Sequence, residues 1–506
     1  MPLRLLCTLL IALPWVWPFT AGPAAALVPY LASAGFSALL LALWPAGERK
    51  HDGGPATASA AAIVAWGWAS AALLSAVIAL LQYLDLETAL YPAVNIAQPG
   101  QAFGNLRQPN QLATLLVLGL LSVRWLAQSA HLAARYALGM AGLLLVALAA
   151  TASRIGLAEL LVLGAVALWW TRRRPGLGTR VLWAMAALAV YAVAALALPA
   201  LLESTEGVSG RAMLERLRST ESTCGSRLIL WRNVLHLISL KPWLGWGWGE
   251  LDYAHYITLY DGARFCYILD NAHNLPLHLA VELGVPVAVL VTGLIAWAIW
   301  RARPWHETDP TRQLAWAVLG AIGLHSLVEY PLWYGPFQMA VALSLYLLWP
   351  RPSALRRHGL SHPHFFWRQA IAVAILACVT YVGWDYHRIS QLFLPVEQRA
   401  AAYRFTAQAH AQRSWLFADV VRFADVTTRP VTRETAPSLL PAALKALHYS
   451  PEPRTAIKLI ESASLLGQDD LALAHMARFR AAFPKEYEAW ASPPQPSRTR
   501  RRGPTP

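Results

Sequence analysis

The sequence is short of charge. Only 14% of its 506 residues are Asp, Glu, Lys or Arg, where a soluble domain carries about 25%. So few charges on so long a chain cannot make a wetted surface everywhere, which excludes an ordinary water-soluble globular protein. Acidic residues are scarcer than basic ones, 28 against 42, and the net charge is +14. In a soluble chain that excess would point to nucleic acid. Here the arginines gather in short loops between apolar runs, so no nucleic-acid partner is read from them. Four cysteines are too few for a disulfide framework. The chain has no P-loop, no dinucleotide-binding glycine pattern and no His-Glu-x-x-His, and the chemistries those motifs carry have no anchor in it. Asp252, Asp261 and Asp270 stand too far apart to suggest a metal.

What is present is apolar length. The chain is 56% hydrophobic and holds 23 Trp. Apolar runs of roughly 20 residues cross the hydrocarbon core as helices, and Trp favours the membrane interface. Such runs lie near 3–21, 24–45, 58–82, 109–127, 134–151, 156–171, 181–202, 277–300, 313–330, 336–350 and 369–385. The expected fold is all-α: a polytopic membrane bundle of about 11 transmembrane helices, with one large polar loop and a C-terminal helical soluble domain. The expected divisions are 1–202 with seven spans, the loop 203–276, 277–385 with four spans, and 386–506. The first run has no evident Ala-x-Ala site and a second run follows at once, so it reads as an uncleaved helix.

Orientation follows from the short loops. One set carries Arg49 and Lys50, Arg124 and Arg135, Arg172, Arg173, Arg174 and Arg180. It continues with Arg301, Arg303 and Arg312, then Arg351, Arg356, Arg357 and Arg368. The alternate loops are poor in Lys and Arg, so the positive-inside rule puts the basic set and the N-terminus in the cytoplasm. The segments 83–108, 203–276 and everything after 385 are then outside. Cys7 and Cys378 fall inside spans, whereas Cys224 and Cys266 share the loop. On the outer side those two could pair, a question of distance that spacing leaves open. After 385, the stretches Pro437–Tyr449, Arg454–Leu466 and Asp469–Phe483 have helical Ala/Leu periodicity. They resemble tetratricopeptide helix pairs with an incomplete signature, and equally a small helical domain without repeats. The basic tail Arg498–Arg502 could touch anionic lipid.

Chemistry concentrates at the outer ends of spans. His273, in Asp270-Asn271-Ala272-His273-Asn274-Leu275-Pro276, sits just before a span, where an imidazole can act as a general base or simply cap and pack. Arg154, in Thr151-Ala152-Ser153-Arg154, is held at the bilayer edge by a short turn. Arg227 precedes the amphipathic stretch Leu228–Leu240, and Arg107 and Arg211 also lie outside. Arginine at membrane depth usually has a partner, and its fork suits phosphate oxygens. The competing reading is snorkelling and surface pairing. The Gly245-Trp246-Gly247-Trp248-Gly249 segment reads as an interfacial turn or a sugar-stacking surface. Glu329 and His325 could support the site or be one local polar pair.

These segments together resemble the O-antigen ligase and polymerase superfamily, and within it the bacterial O-linked oligosaccharyltransferases known as pilin glycosylation ligases. The resemblance covers about residues 60–350. It rests on Gly104-Asn105-Leu106-Arg107-Gln108-Pro109-Asn110-Gln111 and on the Ser153-Arg154 turn. It rests also on Ser226-Arg227 through Trp231 to Lys241-Pro242-Trp243-Leu244-Gly245-Trp246-Gly247, on His273-Asn274-Leu275 with Glu282-Leu283-Gly284, and on Glu329-Tyr330-Pro331-Leu332-Trp333-Tyr334. Trp246 and Trp248 depart from the small residues usual there. The resemblance implies metal-independent transfer of a preassembled glycan from undecaprenyl pyrophosphate to a Ser/Thr hydroxyl of a pilin-like or other periplasmic protein. The setting it implies is the bacterial inner membrane. It makes His273 the general base, Arg154 and Arg227 the pyrophosphate ligands, and Arg107, Arg211, Asn274 and Glu329 supporting residues. An O-antigen ligase acting on lipid A core, an O-antigen polymerase, and a lipid-linked glycan flippase or transporter stand as alternatives. A transporter would be expected to bury charges near mid-membrane or to break helices with Gly and Pro, whereas here the polar residues collect at the outer ends of spans.

Overall fold

The computed structural model describes residues 2–44, 56–172, 174–206, 224–349 and 362–492. Arg49, Lys50, Arg173, Arg211, Arg351, Arg356, Arg357 and the Arg498–Arg502 tail lie outside the described residues. Among the described residues there are helices, turns and loops and no strand. The first half of the chain forms α1 (Pro2–Val16), α2 (Leu27–Leu43), α3 (Ala56–Tyr83), α4 (Pro109–Gln128), α5 (Ala134–Ala150), α6 (Arg154–Thr171) and α7 (Leu177–Glu206). It is followed by α8 (Arg227–Leu240), α9 (Leu251–Ile257), α10 (Leu275–Leu283), α11 (Val285–Ala302), α12 (Pro310–Ser326), α13 (Gly335–Leu348) and α14 (His362–Ser390). The C-terminal part forms α15 (Ala418–Thr428), α16 (Ala436–Tyr449), α17 (Pro453–Leu465), α18 (Asp469–Ala482) and α19 (Pro484–Ala491).

By length and composition six helices can cross a membrane: those at 60–83, 109–128, 154–171, 177–203, 285–306 and 366–393. Helices α1, α2, α5 and α13 are apolar but shorter. Ten of the expected runs coincide with one helix each. The run at 277–300 does not: α10 ends at Leu283, Gly284 turns to φ +88°, and α11 begins at Val285. A Cβ on Gly284 would lie 2.1 Å from the Trp243 carbonyl oxygen, so only glycine fits the close approach. The freed backbone groups find partners in the 241–249 turn. The Val285 amide donates to Pro242 O at 2.8 Å, and Trp246 and Gly247 donate to Val281 O and Glu282 O, each at 2.9 Å.

The chain forms two compact units, one of residues 1–220, 273–276 and 290–410 and the other of residues 221–272, 277–289 and 411–506. In the first, α3 packs on α1, α4 and α5 through a face of small residues that includes Ala65, Ala69, Ala72, Ala76 and Ala79. A Cβ on Gly119 of α4 would come within 2.3 Å of Ala72 Cβ. Such small-on-small contact is how helices associate where lipid, rather than water, is the competing solvent. Little of α7, α11 or α14 is buried, and large apolar side chains such as Leu182, Trp183, Val193 and Trp300 are exposed. In water so much bare apolar surface would drive aggregation; against lipid it is the expected outer face.

The second unit joins what the sequence separates, because the polar loop and the C-terminal segment share a core. Tyr256 of α9 is buried with Leu439, Leu447, Leu459, Ile460 and Phe479. Arg478 donates to Ile257 O at 3.0 Å, and His448 pairs with Glu250 at 2.7 Å. The three expected C-terminal helices form at the expected places as α16, α17 and α18, each packed on the next. Cys224 and Cys266 form a disulfide, Cα–Cα 5.4 Å.

Candidate functional site

In the first unit, His273 lies just ahead of α10 with φ +50°, a left-handed conformation uncommon for a residue with a Cβ. It is held there by the turn that follows α12. Its Nδ1 lies 2.6 Å from Glu329 Oε2, its ring meets Tyr330 edge-on with centroids 4.8 Å apart, and Asn274 Nδ2 donates to Leu327 O at 2.9 Å. The Glu329 amide donates in turn to His325 O at 2.9 Å, which fixes the carboxylate to the end of α12. A carboxylate can only accept, so Nδ1 carries the proton and Nε2 is the basic nitrogen. The imidazole is 17% and the carboxyl 11% exposed, so the pair is mostly buried.

Beneath this pair lies a buried polar network. The Thr114 hydroxyl of α4 stands 2.8 Å from Glu159 of α6 and 2.8 Å from His325 Nδ1 of α12. With one proton to give, Thr114 donates to Glu159 and accepts from His325, so His325 carries its proton on Nδ1. Among the described residues, Glu159 Oε2 and His325 Nε2 have no hydrogen-bond partner. The sequence reading named His325 but passed over Glu159 and Thr114. A lone acid inside the apolar run 156–171 was the available signal, since an ionisable group within a span is unusual.

Arg154 and Arg227 are the first residues of α6 and α8. Each follows a serine that caps its helix: Ser153 Oγ accepts from Gly156 N at 3.2 Å, and Ser226 Oγ accepts from Ile229 N at 3.3 Å. Ser153 also donates to Asn110 Oδ1 at 2.7 Å, tying that turn to α4. A guanidinium at the positive end of a helix dipole is at the disfavoured end. Arg154 belongs to the first unit and Arg227 to the second. Trp231 of α8 donates to Ala272 O at 3.1 Å, the residue before His273.

The other expected site residues divide. Arg107 bonds Thr20 Oγ1 at 2.6 Å, Pro18 O at 3.0 Å and Asn95 Oδ1 at 2.7 Å. Its guanidinium therefore clasps the 18–20 and 95 loops, a structural use. Arg211 is outside the described residues. Trp246, expected at an interface or a sugar, is half-buried, donates to Leu237 O at 2.9 Å and carries Lys241 over its ring at 4.1 Å.

A cavity of about 1100 Å³ opens between α6, α11, α12 and α13 of the first unit. Val162, Trp169, Ile295, Trp316 and Leu345 are among its almost entirely apolar walls, and Leu275, Pro276 and Leu327 bring it to the segment that carries His273. Sequence reasoning did not find it, because a cavity between helices leaves no mark in any one of them.

A membrane helix bundle with a carboxylate-oriented histidine beside an apolar cavity defines a class before any comparison is made. Three families match successive stretches. Residues 102–127 match the family described as protein glycosylation ligase, 139–292 the O-antigen ligase family, and 313–497 the C-terminal part of the virulence factor membrane-bound polymerase family. A general O-oligosaccharyltransferase of Acinetobacter baylyi is 27% identical over 283 residues, 55% of this chain and 48% of that protein. The match thus spans about half the length of that curated relative. The chain is thus similar to O-antigen ligases over residues 139–292 and to protein glycosylation ligases over residues 102–127.

Proposed function

We propose that the protein transfers a preassembled oligosaccharide from undecaprenyl pyrophosphate to a Ser or Thr hydroxyl of a periplasmic, pilin-like protein. The observation that carries this reading is the His273–Glu329 pair, Nδ1 to Oε2 2.6 Å, at the edge of the apolar cavity. The cavity suits a polyprenyl chain, and the pair suits a hydroxyl nucleophile. His273 Nε2 takes the hydroxyl proton as the oxygen attacks the anomeric carbon. The bond from that carbon to the phosphate oxygen breaks, and undecaprenyl pyrophosphate leaves with the electron pair. Arg154 and Arg227 offset the developing charge. Direct displacement inverts the anomeric carbon, and no step requires a metal.

The same reading has about eleven membrane crossings, the N-terminus in the cytoplasm, and the site with the C-terminal domain on the periplasmic side of the inner membrane. Support for a protein acceptor comes from the match to protein glycosylation ligases at 102–127 and from the likeness to a general O-oligosaccharyltransferase. The test is reconstitution with a lipid-linked oligosaccharide and two acceptors, a pilin-like protein and lipid A core. Glycan on the protein is expected. Glycan on lipid A core alone would replace this reading with the O-antigen ligase one, and glycan chain growth with neither acceptor modified would favour the polymerase.

A further inference from the structure

The second unit carries an apolar edge that its own core does not use. Trp243 and Leu244 are 76% and 86% exposed, Leu240 and Trp248 are exposed on either side of them in the chain, and Val287 and Val289 are exposed in the first turns of α11, which the Val285 amide ties to Pro242 O. All belong to the same unit. Exposed apolar groups scattered singly need no explanation, but a continuous set does. This set is held rigidly: Val285 N bonds Pro242 O at 2.8 Å, and Gly245 N bonds Lys241 O at 3.1 Å. A Cβ on Gly245 would come within 2.3 Å of Glu282 O, so the turn is pressed against the end of α10. Trp246, half-buried beneath it, fixes the turn to α8 through Leu237 O.

What covers this edge follows from where it is attached. Val285 is the first residue of the 285–306 stretch, which is long and apolar enough to cross a membrane. The start of that helix marks the level at which water gives way to lipid, and the 242–245 turn is hydrogen-bonded to its first residue. Trp243 and Leu244 therefore continue the apolar surface of the first turn of α11 sideways at that level. Tryptophan favours the headgroup region. Lys241, exposed and stacked on Trp246, supplies a cation at the same edge for lipid phosphates.

We propose that the turn Lys241–Leu244, with the first turn of α11, is a lipid-inserted foot that seats the second unit in the interfacial layer of the bilayer. Its occupant is lipid, not an acceptor polypeptide. The foot sets the depth of α8, whose last residue precedes Lys241, and with it the depth of the helix that Arg227 opens. The inference concerns where the edge lies and stands whether or not the proposed transfer reaction is right.

The test places a spin label at Leu244→Cys in a Cys378→Ser background, in nanodiscs of phosphatidylethanolamine and phosphatidylglycerol. Collision with dissolved oxygen is compared with collision with a water-soluble nickel chelate. A second label at Asp469→Cys, on an exposed residue of the same unit, gives the aqueous reference. The expected result is an oxygen-to-chelate ratio severalfold higher at 244 than at 469. Equal ratios would overturn the proposal. A benzophenone amino acid at Trp243 gives an independent reading that does not depend on labelling: photo-adducts with lipid are expected. Adducts with an added pilin-like protein in place of lipid would make the edge an acceptor-docking surface and overturn the lipid assignment.

Discussion

The two units of the molecule solve opposite packing problems. The first packs small residues such as Ala65, Ala69 and Ala72 against large ones such as Trp15, Trp68 and Leu115, leaves further large apolar side chains such as Leu182, Trp183 and Val193 exposed, and buries a Glu–Thr–His network between α4, α6 and α12. The second packs leucine, isoleucine and phenylalanine inside, places ion pairs such as Arg422–Asp419 and Arg454–Glu452 at its surface, and adds a disulfide. Lipid gives helices no hydrophobic reason to associate, so close backbone approach and internal polar contacts do that work. Water gives that reason freely, and surface pairs there add only about 0–1 kcal/mol each. The difference teaches where proposed chemistry can be anchored. Glu329, bonded to His273, stands at the end of α12 in the first unit, while Arg227, one of the two helix-opening arginines, belongs to the second.

The sharpest way to break this comparison is at the base. His273→Ala is expected to reduce transfer by about 10²–10⁴-fold, and Glu329→Gln by about 10–100-fold, because the imidazole loses the group that fixes its tautomer. Initial rates with lipid-linked donor measure both, and unchanged glycosylation would remove His273 from the reaction. Opening the disulfide by Cys224→Ser with Cys266→Ser acts on the second unit alone. A loss of about 2–4 kcal/mol in its unfolding free energy is expected, read as earlier proteolysis of the 221–272 segment. Arg227→Lys replaces a fork by a point charge, and about a tenfold rise in donor KM is expected, the order of one charge-assisted hydrogen bond. A wild-type donor dependence would leave Arg227 without a phosphate role.

Smaller effects test the interiors. Thr114→Val removes the hydroxyl shared by Glu159 and His325 and should lower kcat severalfold with KM little changed. Thr114→Ser should restore it, whereas a general packing defect would not discriminate between the two. In the second unit, burial pushes the Asp252 carboxyl up to about 7, with Glu250 and Asp270 adding to the shift. A raised folded pKa contributes stability in full below about pH 4 that is lost as pH rises through about 7. Asp252→Asn should therefore raise the melting temperature by a few degrees at about pH 8 and hardly at all near pH 4. His255 runs the other way. Burial, with Arg264 nearby, pushes it down to about 3, so its contribution is lost as pH falls from about 6.5 towards 3. Melting curves at the two pH values check the sign.

Much of the helix layout was legible, because apolar length is itself the physical cause of a membrane helix. The break at Gly284 was not: the run 277–300 is apolar apart from His278, Glu282 and Thr292, and only Gly284 with Pro286 hinted at it. The union of the polar loop with the C-terminal helices was also hidden. It depends on contacts such as Tyr256 with His475, 219 residues apart, and no local pattern encodes a pairing at that distance. Of the expected site, His273, Asn274 and Glu329 converge as one constellation. Arg107 was read as a site residue because its motif is specific, and the structure uses that specificity for loop clasping. Glu159 was overlooked because one acid hardly alters the apolar character of its run.

That acid has a consequence for biosynthesis. A carboxyl inside α6 raises the cost of inserting that helix by about 2.5–3.5 kcal/mol if it enters charged. When α6 emerges from the ribosome, Thr114 on α4 is already in place, but His325 on α12 has yet to be made. Glu159 can therefore bond Thr114 as soon as α6 inserts, but the polar face of α4 and α6 lacks the His325 side of the network until translation reaches α12. A chain truncated before α12 would expose that face to lipid, so quality control has a ready mark by which to distinguish an unfinished protein from a finished one.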